Sequence, residues 1–168
     1  MLFRSDSPSD LSKSLSYFDE YCKMWKLTVN IAKTKILIFG KRPDKTHHVF
    51  KLQQQNIDIV SEYVYLGILF TRTGRFCKSQ KRLAEQASRA MYAVFRKLRL
   101  LDIPIDCQLK LFDNLVQPIL LYGSEVWGFE NCIVLERVHL NFCKYILEVK
   151  QSTPDFMVYG ELGRYPLD

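Results

Sequence analysis

Residues 77–101 read CKSQKRLAEQASRAMYAVFRKLRLL. Ala87, Met91, Val94, Leu98 and Leu101 recur at steps of 4, 3, 4 and 3, the spacing that lines one face of an α-helix. A second series, Lys78, Arg82, Glu85, Arg89, Tyr92, Arg96 and Arg99, steps by 4, 3, 4, 3, 4 and 3 along another face. The stretch predicts a long amphipathic helix with an apolar stripe toward a core and a cationic stripe well away from it. No strand accommodates this period, so the reading makes the C-terminal half of the chain helical.

The same periodicity continues downstream. Pro104 and Asp106 open a third helix with Leu109, Phe112, Val116 and Ile119 aligned. Pro118 falls inside that pattern and removes the N–H that would bond the Asn114 carbonyl, so a kink or break is expected there. Leu135, Val138, Phe142 and Ile146 predict a helix over about 132–148. Thr153-Pro154 pairs an N-cap residue with proline at the first helical position, and Gly160 or Gly163 would end the short helix begun there.

Upstream the pattern is mixed. Leu11, Leu15, Phe18, Cys22 and Trp25 predict a helix over 8–25, with Ser7 as N-cap, Pro8 at N1 and Asp10 in the first turn. Strands are expected over 27–31 and 35–39, around the turn-like Ala32-Lys33-Thr34, with a polar loop over 40–48. Residues 49–52 and 57–60 read as a hairpin joined through 53–56. Residues 63–70, rich in aromatic and aliphatic side chains, form the best single strand, closed by a turn at 71–74 where Gly74 tolerates positive φ.

The chain has 168 residues, 48% of them apolar, enough for a real core and too apolar for general disorder. No apolar run approaches the ~20 residues that span a bilayer. Met1-Leu2-Phe3-Arg4 does not read as a secretory leader, and an intracellular setting, cytosol or nucleus, is expected. Five cysteines at wide spacing, with no Cys-x-x-Cys, speak against a disulfide framework and a structural zinc site. His47-His48 lies in a polar loop and binds metal only if other ligands converge there. The net charge is +6, and its distribution is uneven. Between Arg72 and Arg99 stand nine Lys and Arg against one acid, Glu85, leaving that segment at +8 and the rest at −2.

Nucleotidyl transfer requires clustered carboxylates to hold two metal ions. The chain has no Asp-Asp pair, and its adjacent acids, Asp19-Glu20, fall in a helix where neighbouring side chains diverge by about 100°. No Gly-x-Ser-x-Gly elbow and no Gly-rich phosphate cradle is present. Ser124, in an apolar helical context, reads as a backbone-bonding residue. The cationic stripe fits nucleic acid better: its Lys and Arg can track phosphates while Tyr92 stacks on a sugar or base. The plain alternative is a solvated helix face carrying an ordinary Glu85–Arg89 ion pair. In Tyr63-Val64-Tyr65-Leu66-Gly67 the aromatic alternation reads as core, with Gly67 permitting another backbone to approach.

Two blocks, 117–128 (QPILLYGSEVWG) and 152–167 (STPDFMVYGELGRYPL), closely resemble the region C-terminal to the palm in reverse transcriptases of non-LTR, LINE-type retrotransposons. Other blocks resemble that family in the same order. Leu2-Phe3, Ser5-Asp6-Ser7-Pro8 and Asp10-Leu11 are similar to the residues just after the family's catalytic Ala-Asp-Asp box. Residues 27–39, with Asn30, Lys33 and Thr34, resemble the next palm block, in which the lysine is implied to assist near the triphosphate. Tyr65-Leu66-Gly67-Ile68 resembles the primer grip, whose hairpin positions the primer end. Residues 81–87 are similar to the first thumb helix, so the stripe Lys78, Arg82, Arg89, Tyr92, Arg96 and Arg99 would face the template–primer duplex. Glu136 to Leu140 and Phe142-Cys143-Lys144 match the downstream pattern, where His139 would pack rather than catalyse.

The resemblance implies an RNA-directed DNA polymerase fragment with no cofactor of its own, whereas the parent enzyme uses Mg²⁺. The blocks that would carry the metal-binding aspartates are absent from this sequence, so the isolated chain is expected to be catalytically inactive. Its partners would be an RNA–DNA hybrid or template–primer duplex and the missing fingers and palm of the parent polymerase. The expected fold is α+β and predominantly helical: a small antiparallel β palm remnant over 1–75, then a helical thumb-like and connecting region over 76–168. Exposed strand edges in the remnant would favour self-association, which light scattering at high concentration measures. A non-enzymatic helical protein-interaction module with a solvated basic face is the competing function.

Overall fold

Ser7 starts the first helix in the way its position demands. Its Oγ accepts the Asp10 N–H at 3.1 Å, and Pro8 needs no donor partner at the helix start, so α1 runs Pro8–Met24. The computed structural model describes residues 4–40, 48–98, 100 and 103–167, and the chain forms two compact units, Met1–Arg75 and Phe76–Asp168. Among the described residues the fold is α+β and predominantly helical.

In the first unit, α1 places Leu15 against Phe50, Leu52 and Ile57, with Leu11, Phe18, Val29, Ile31 and Ile36 packed around them. Trp25 does not continue the stripe: it comes after the helix end and lies 62% exposed. The strands are β1 Lys35–Leu37, β2 Phe50–Leu52, β3 Gln55–Val60, β4 Glu62–Tyr65 and β5 Ile68–Thr71. The three-stranded sheet has the order β1-β3-β2, with β2–β3 antiparallel and β1–β3 parallel in register Lys35↔Asp58. A separate antiparallel pair joins β4 to β5.

Two expectations are corrected here. Residues 27–31 form no strand, because the Gln53 side chain takes up their backbone groups. The Gln53 amide donates to the Leu27 carbonyl at 3.1 Å and accepts the Val29 N–H at 3.3 Å. A 3₁₀ turn, Ile31–Lys33, comes next, with Asn30 Oδ1 accepting the Lys33 N–H. Residues 63–70 are a hairpin rather than one strand. Leu66 and Gly67 take φ values of 47° and 81°, and two consecutive positive φ angles reverse the chain in a two-residue turn.

The second unit is helical: α2 Cys77–Leu98, α3 Ile105–Leu115, α4 Gln117–Leu120, α5 Ser124–Trp127, α6 Ile133–Ile146 and α7 Asp155–Leu162. The expected break appears where Pro118 removes a donor: Val116, at φ −110° and ψ −47°, separates α3 from α4. Leu120, four residues beyond Val116, is buried with Phe112 and Val116, whereas Ile119 is half-buried. Ala87, Met91, Val94 and Leu98 face the core as their spacing requires; Leu101 lies outside the described residues. Phe142 is the centre of the aromatic packing, stacked on Phe112 at 4.2 Å and Phe95 at 5.9 Å between centroids. Pro154 rather than Thr153 stands at the N-cap of α7, and Gly163, at φ 60°, ends the helix.

Candidate nucleic-acid interface

Helix α2 is fixed at its N-terminus by a residue distant in sequence. The Glu130 carboxylate accepts the Phe76 N–H at 2.9 Å, placing negative charge at the positive helix end. Gln80 reaches Cys132 Sγ at 3.8 Å, and Arg96 and Lys97 sit in the last turn, where cations suit the helix dipole. Burial of Leu83, Ala84, Ala87, Met91, Val94, Phe95 and Leu98 sets the rotation of the helix about its axis. Each large apolar side chain taken from water contributes roughly 1.5–3 kcal/mol, so this orientation is strongly specified.

The rotation leaves Lys78, Arg82, Glu85, Arg89, Tyr92 and Arg96 exposed on the opposite face; Arg99 lies outside the described residues. Lys81 and Lys97 flank the stripe, both exposed. Among the described residues no ion pair engages Arg82, Glu85, Arg89 or Arg96, so the expected Glu85–Arg89 pair does not form. Tyr92 is 61% exposed, its ring edge-on to Phe95 at 5.9 Å. Arg82, Arg89 and Arg96 are seven residues apart, about 10 Å along the axis, roughly the axial span of three phosphates on one strand.

The first unit holds the other predicted site residues. Tyr65, Leu66 and Gly67 form the β4–β5 turn, with Leu66 72% exposed at its tip. Lys33 is exposed at the end of the 3₁₀ turn, and its carbonyl accepts the Tyr63 hydroxyl at 2.8 Å, tying this turn to β4. The residues that suggested a palm block, Asn30, Lys33 and Thr34, thus build a capped turn: Thr34 Oγ1 donates to the Asn30 carbonyl at 2.9 Å.

The two most distinctive blocks of the sequence carry tertiary fasteners. In 117–128, Gly123 adopts φ 71° and Trp127 is buried, its indole N–H donating to the Tyr122 carbonyl at 3.0 Å. In 152–167, the Tyr159 hydroxyl donates to Glu136, and the Leu167 N–H donates to the other carboxylate oxygen at 2.7 Å. Arg164 donates from Nε to His139 Nε2 at 3.1 Å and from its terminal nitrogen to Asp113. Its guanidinium lies 5.6 Å from the centre of the Phe112 ring. His139 Nδ1 is buried without a hydrogen-bond partner, 3.7 Å from Glu136 Oε1. Buried Lys144 donates to Asp155 and to the Gln151 carbonyl, at 2.9 and 2.8 Å.

This network sets the titration of its members. Burial pushes the Glu136 carboxyl up, but His139, Tyr159 and the Leu167 N–H together outweigh it and leave the group below its ordinary value. Burial, with the Glu136 hydrogen bond, raises Tyr159, and burial raises the Cys143 thiol to about 12. Sequence reading placed His139 in the packing but missed its partners Arg164 and Glu136, and the Asp113 carboxylate that holds Arg164. Only the close spacing of Glu136 and His139 on one helix face hinted at them.

Among the described residues magnesium, implied for the parent enzymes, finds no fitting donor set. Asp19 is held by Lys23 at 2.8 Å while Glu20 is exposed, and among the described residues no three His, Cys, Asp or Glu side chains converge. None of the described helices is long and apolar enough to cross a membrane.

No family model and no solved structure matches the chain. Over 140 residues it is 31% identical to a Caenorhabditis elegans protein described as a putative uncharacterized transposon-derived protein. That similarity takes in 81% of this chain and 48% of the other, so the chain spans about half the length of the curated relative it matches.

Proposed function

We propose that this chain is part of a retrotransposon reverse transcriptase and that α2 is a thumb surface gripping a template–primer duplex. The observation that carries the reading is the row Arg82, Arg89 and Arg96, exposed opposite the buried face of α2 and, among the described residues, engaged in no ion pair. The similarity to a transposon-derived protein and the ordered family-like blocks support it. The reading gives this polypeptide the grip and assigns no acid in it a catalytic role. The β4–β5 turn, at Tyr65-Leu66-Gly67, is the primer-grip element, and Lys33 the palm-block lysine.

Binding to an RNA–DNA hybrid then weakens steeply with salt, because each phosphate contact releases counterions. Changing Arg82, Arg89 and Arg96 to Gln together lowers the affinity and reduces the salt slope by about 3, while circular dichroism of the helix is retained. An unaltered affinity and slope in the triple variant removes α2 from the interface.

Exposed Phe129, Phe156 and Tyr165 on the second unit favour a second reading, a protein-interaction module with a merely solvated basic face. Passage through heparin and duplex columns at low salt decides for it.

A further inference from the structure

Beside the cationic stripe, α2 and α6 bound an open groove of about 480 Å³. Ala84, Val134 and Val138 form its apolar side, and Lys81, Glu85, Ser88 and Arg89 its polar side. That volume lies within the range of small-ligand sites. Its chemistry matches one sugar–phosphate unit of a strand: an apolar wall for the sugar carbons and two cations on the rim for flanking phosphates.

Glu85 is the anomaly in this groove. It is the one acid between Arg72 and Arg99, and among the described residues no ion pair engages it despite Lys81, Arg82 and Arg89 within one helical turn. Next to phosphates a free carboxylate is repulsive unless it accepts a hydrogen bond from a donor on the ligand. Phosphate oxygens offer no donor. The ribose 2′-hydroxyl does, and deoxyribose lacks it.

We infer that the α2–α6 groove takes a ribose of the RNA strand, and that Glu85, with Ser88 beside it, accepts the 2′-hydroxyl and so selects an RNA–DNA hybrid over a DNA duplex. The inference rests on the nucleic-acid reading of α2 and adds a specificity-determining residue to it. The cations supply attraction common to both duplexes, and Glu85 supplies the difference: an accepted hydrogen bond with RNA, an unrelieved repulsion with DNA.

The test compares three duplexes of one sequence on the full chain: RNA–DNA, DNA–DNA, and RNA–DNA with a 2′-O-methyl RNA strand. Methylation keeps A-form geometry and removes the hydroxyl proton. Wild-type protein is expected to prefer the unmodified hybrid over both others by roughly ten- to a hundredfold, the worth of one hydrogen bond to a charged group. In Glu85→Ala the DNA duplex binds more tightly and the preference collapses toward unity, whereas Arg82→Gln weakens all three duplexes alike. Equal wild-type affinity for the methylated and unmodified hybrids overturns the ribose site and leaves the α2 grip standing. So does a Glu85→Ala change that strengthens all three by one factor. Failure of the wild type to bind any of the three overturns both.

Discussion

A methyl group added at Gly128 meets the Ser124 carbonyl oxygen at 2.5 Å, while one added at Gly160, inside α7, meets nothing within 4 Å. Gly128 also donates its N–H to that same carbonyl at 2.6 Å, so the backbone at this corner has no room to give. Gly128→Ala is therefore expected to destabilise the second unit by about 1–3 kcal/mol, the usual range for forced repacking. Gly160→Ala should stabilise it by about 0.5–1 kcal/mol, because alanine loses less backbone freedom in a helix. Denaturant unfolding of the pair checks both signs; two shifts in the same direction contradict the geometry. Both glycines belong to the blocks that stand out in the sequence, and only the space around each separates a required glycine from a replaceable one.

Elements succeed here where local chemistry is self-contained. Ser7-Pro8 with Asp10 starts α1 from sequence-local bonds alone, and the apolar stripes of α2 and α6 are buried as their period requires. The β4–β5 hairpin shows the opposite case. Leucine rarely tolerates positive φ, and Leu66-Gly67 supplies only the glycine of the Asn-Gly pair that usually marks such a turn. Leu66→Asn, which suits this conformation, is expected to slow hydrogen exchange of the β4 and β5 amides roughly two- to fivefold, corresponding to about 0.5–1 kcal/mol. Faster exchange would show that the leucine side chain, not its backbone angle, holds the turn. The sheet adds a second lesson. Residues 27–31 have strand-like composition, yet the Gln53 side chain, 24 to 26 residues away, satisfies their backbone in place of a neighbouring strand.

At the scale of the whole molecule, the Glu136 network ties α3, α6 and the C-terminal segment together, and its titration predicts how stability of the second unit varies with pH. Glu136 has a folded value below its unfolded 4.5, so its contribution is present above that pH and is lost as pH falls below it. Cys143 and Tyr159 are raised above 9.0 and 10.0, so their contributions hold below those values and are lost as pH rises beyond them. Thermal unfolding monitored by Trp127 fluorescence should show a plateau at neutral pH that declines on both sides. Glu136→Gln should flatten the acid limb and, by removing part of what raises Tyr159, also change the alkaline limb; an acid limb unchanged in that variant assigns it to other carboxylates. The sequence by itself determined which segments are helical, which face of each is apolar, and that positive charge gathers on α2, because these depend on spacing between near neighbours. Tertiary structure alone decided that the distinctive tyrosine, arginine and tryptophan of the 117–128 and 152–167 blocks are fasteners, and that Glu85, among the described residues, stands without an ion pair in a groove against α6. Tyr159 and Arg164 find their partners 23 and 51 residues away, and no periodicity records which side chains the packed core brings within hydrogen-bond reach.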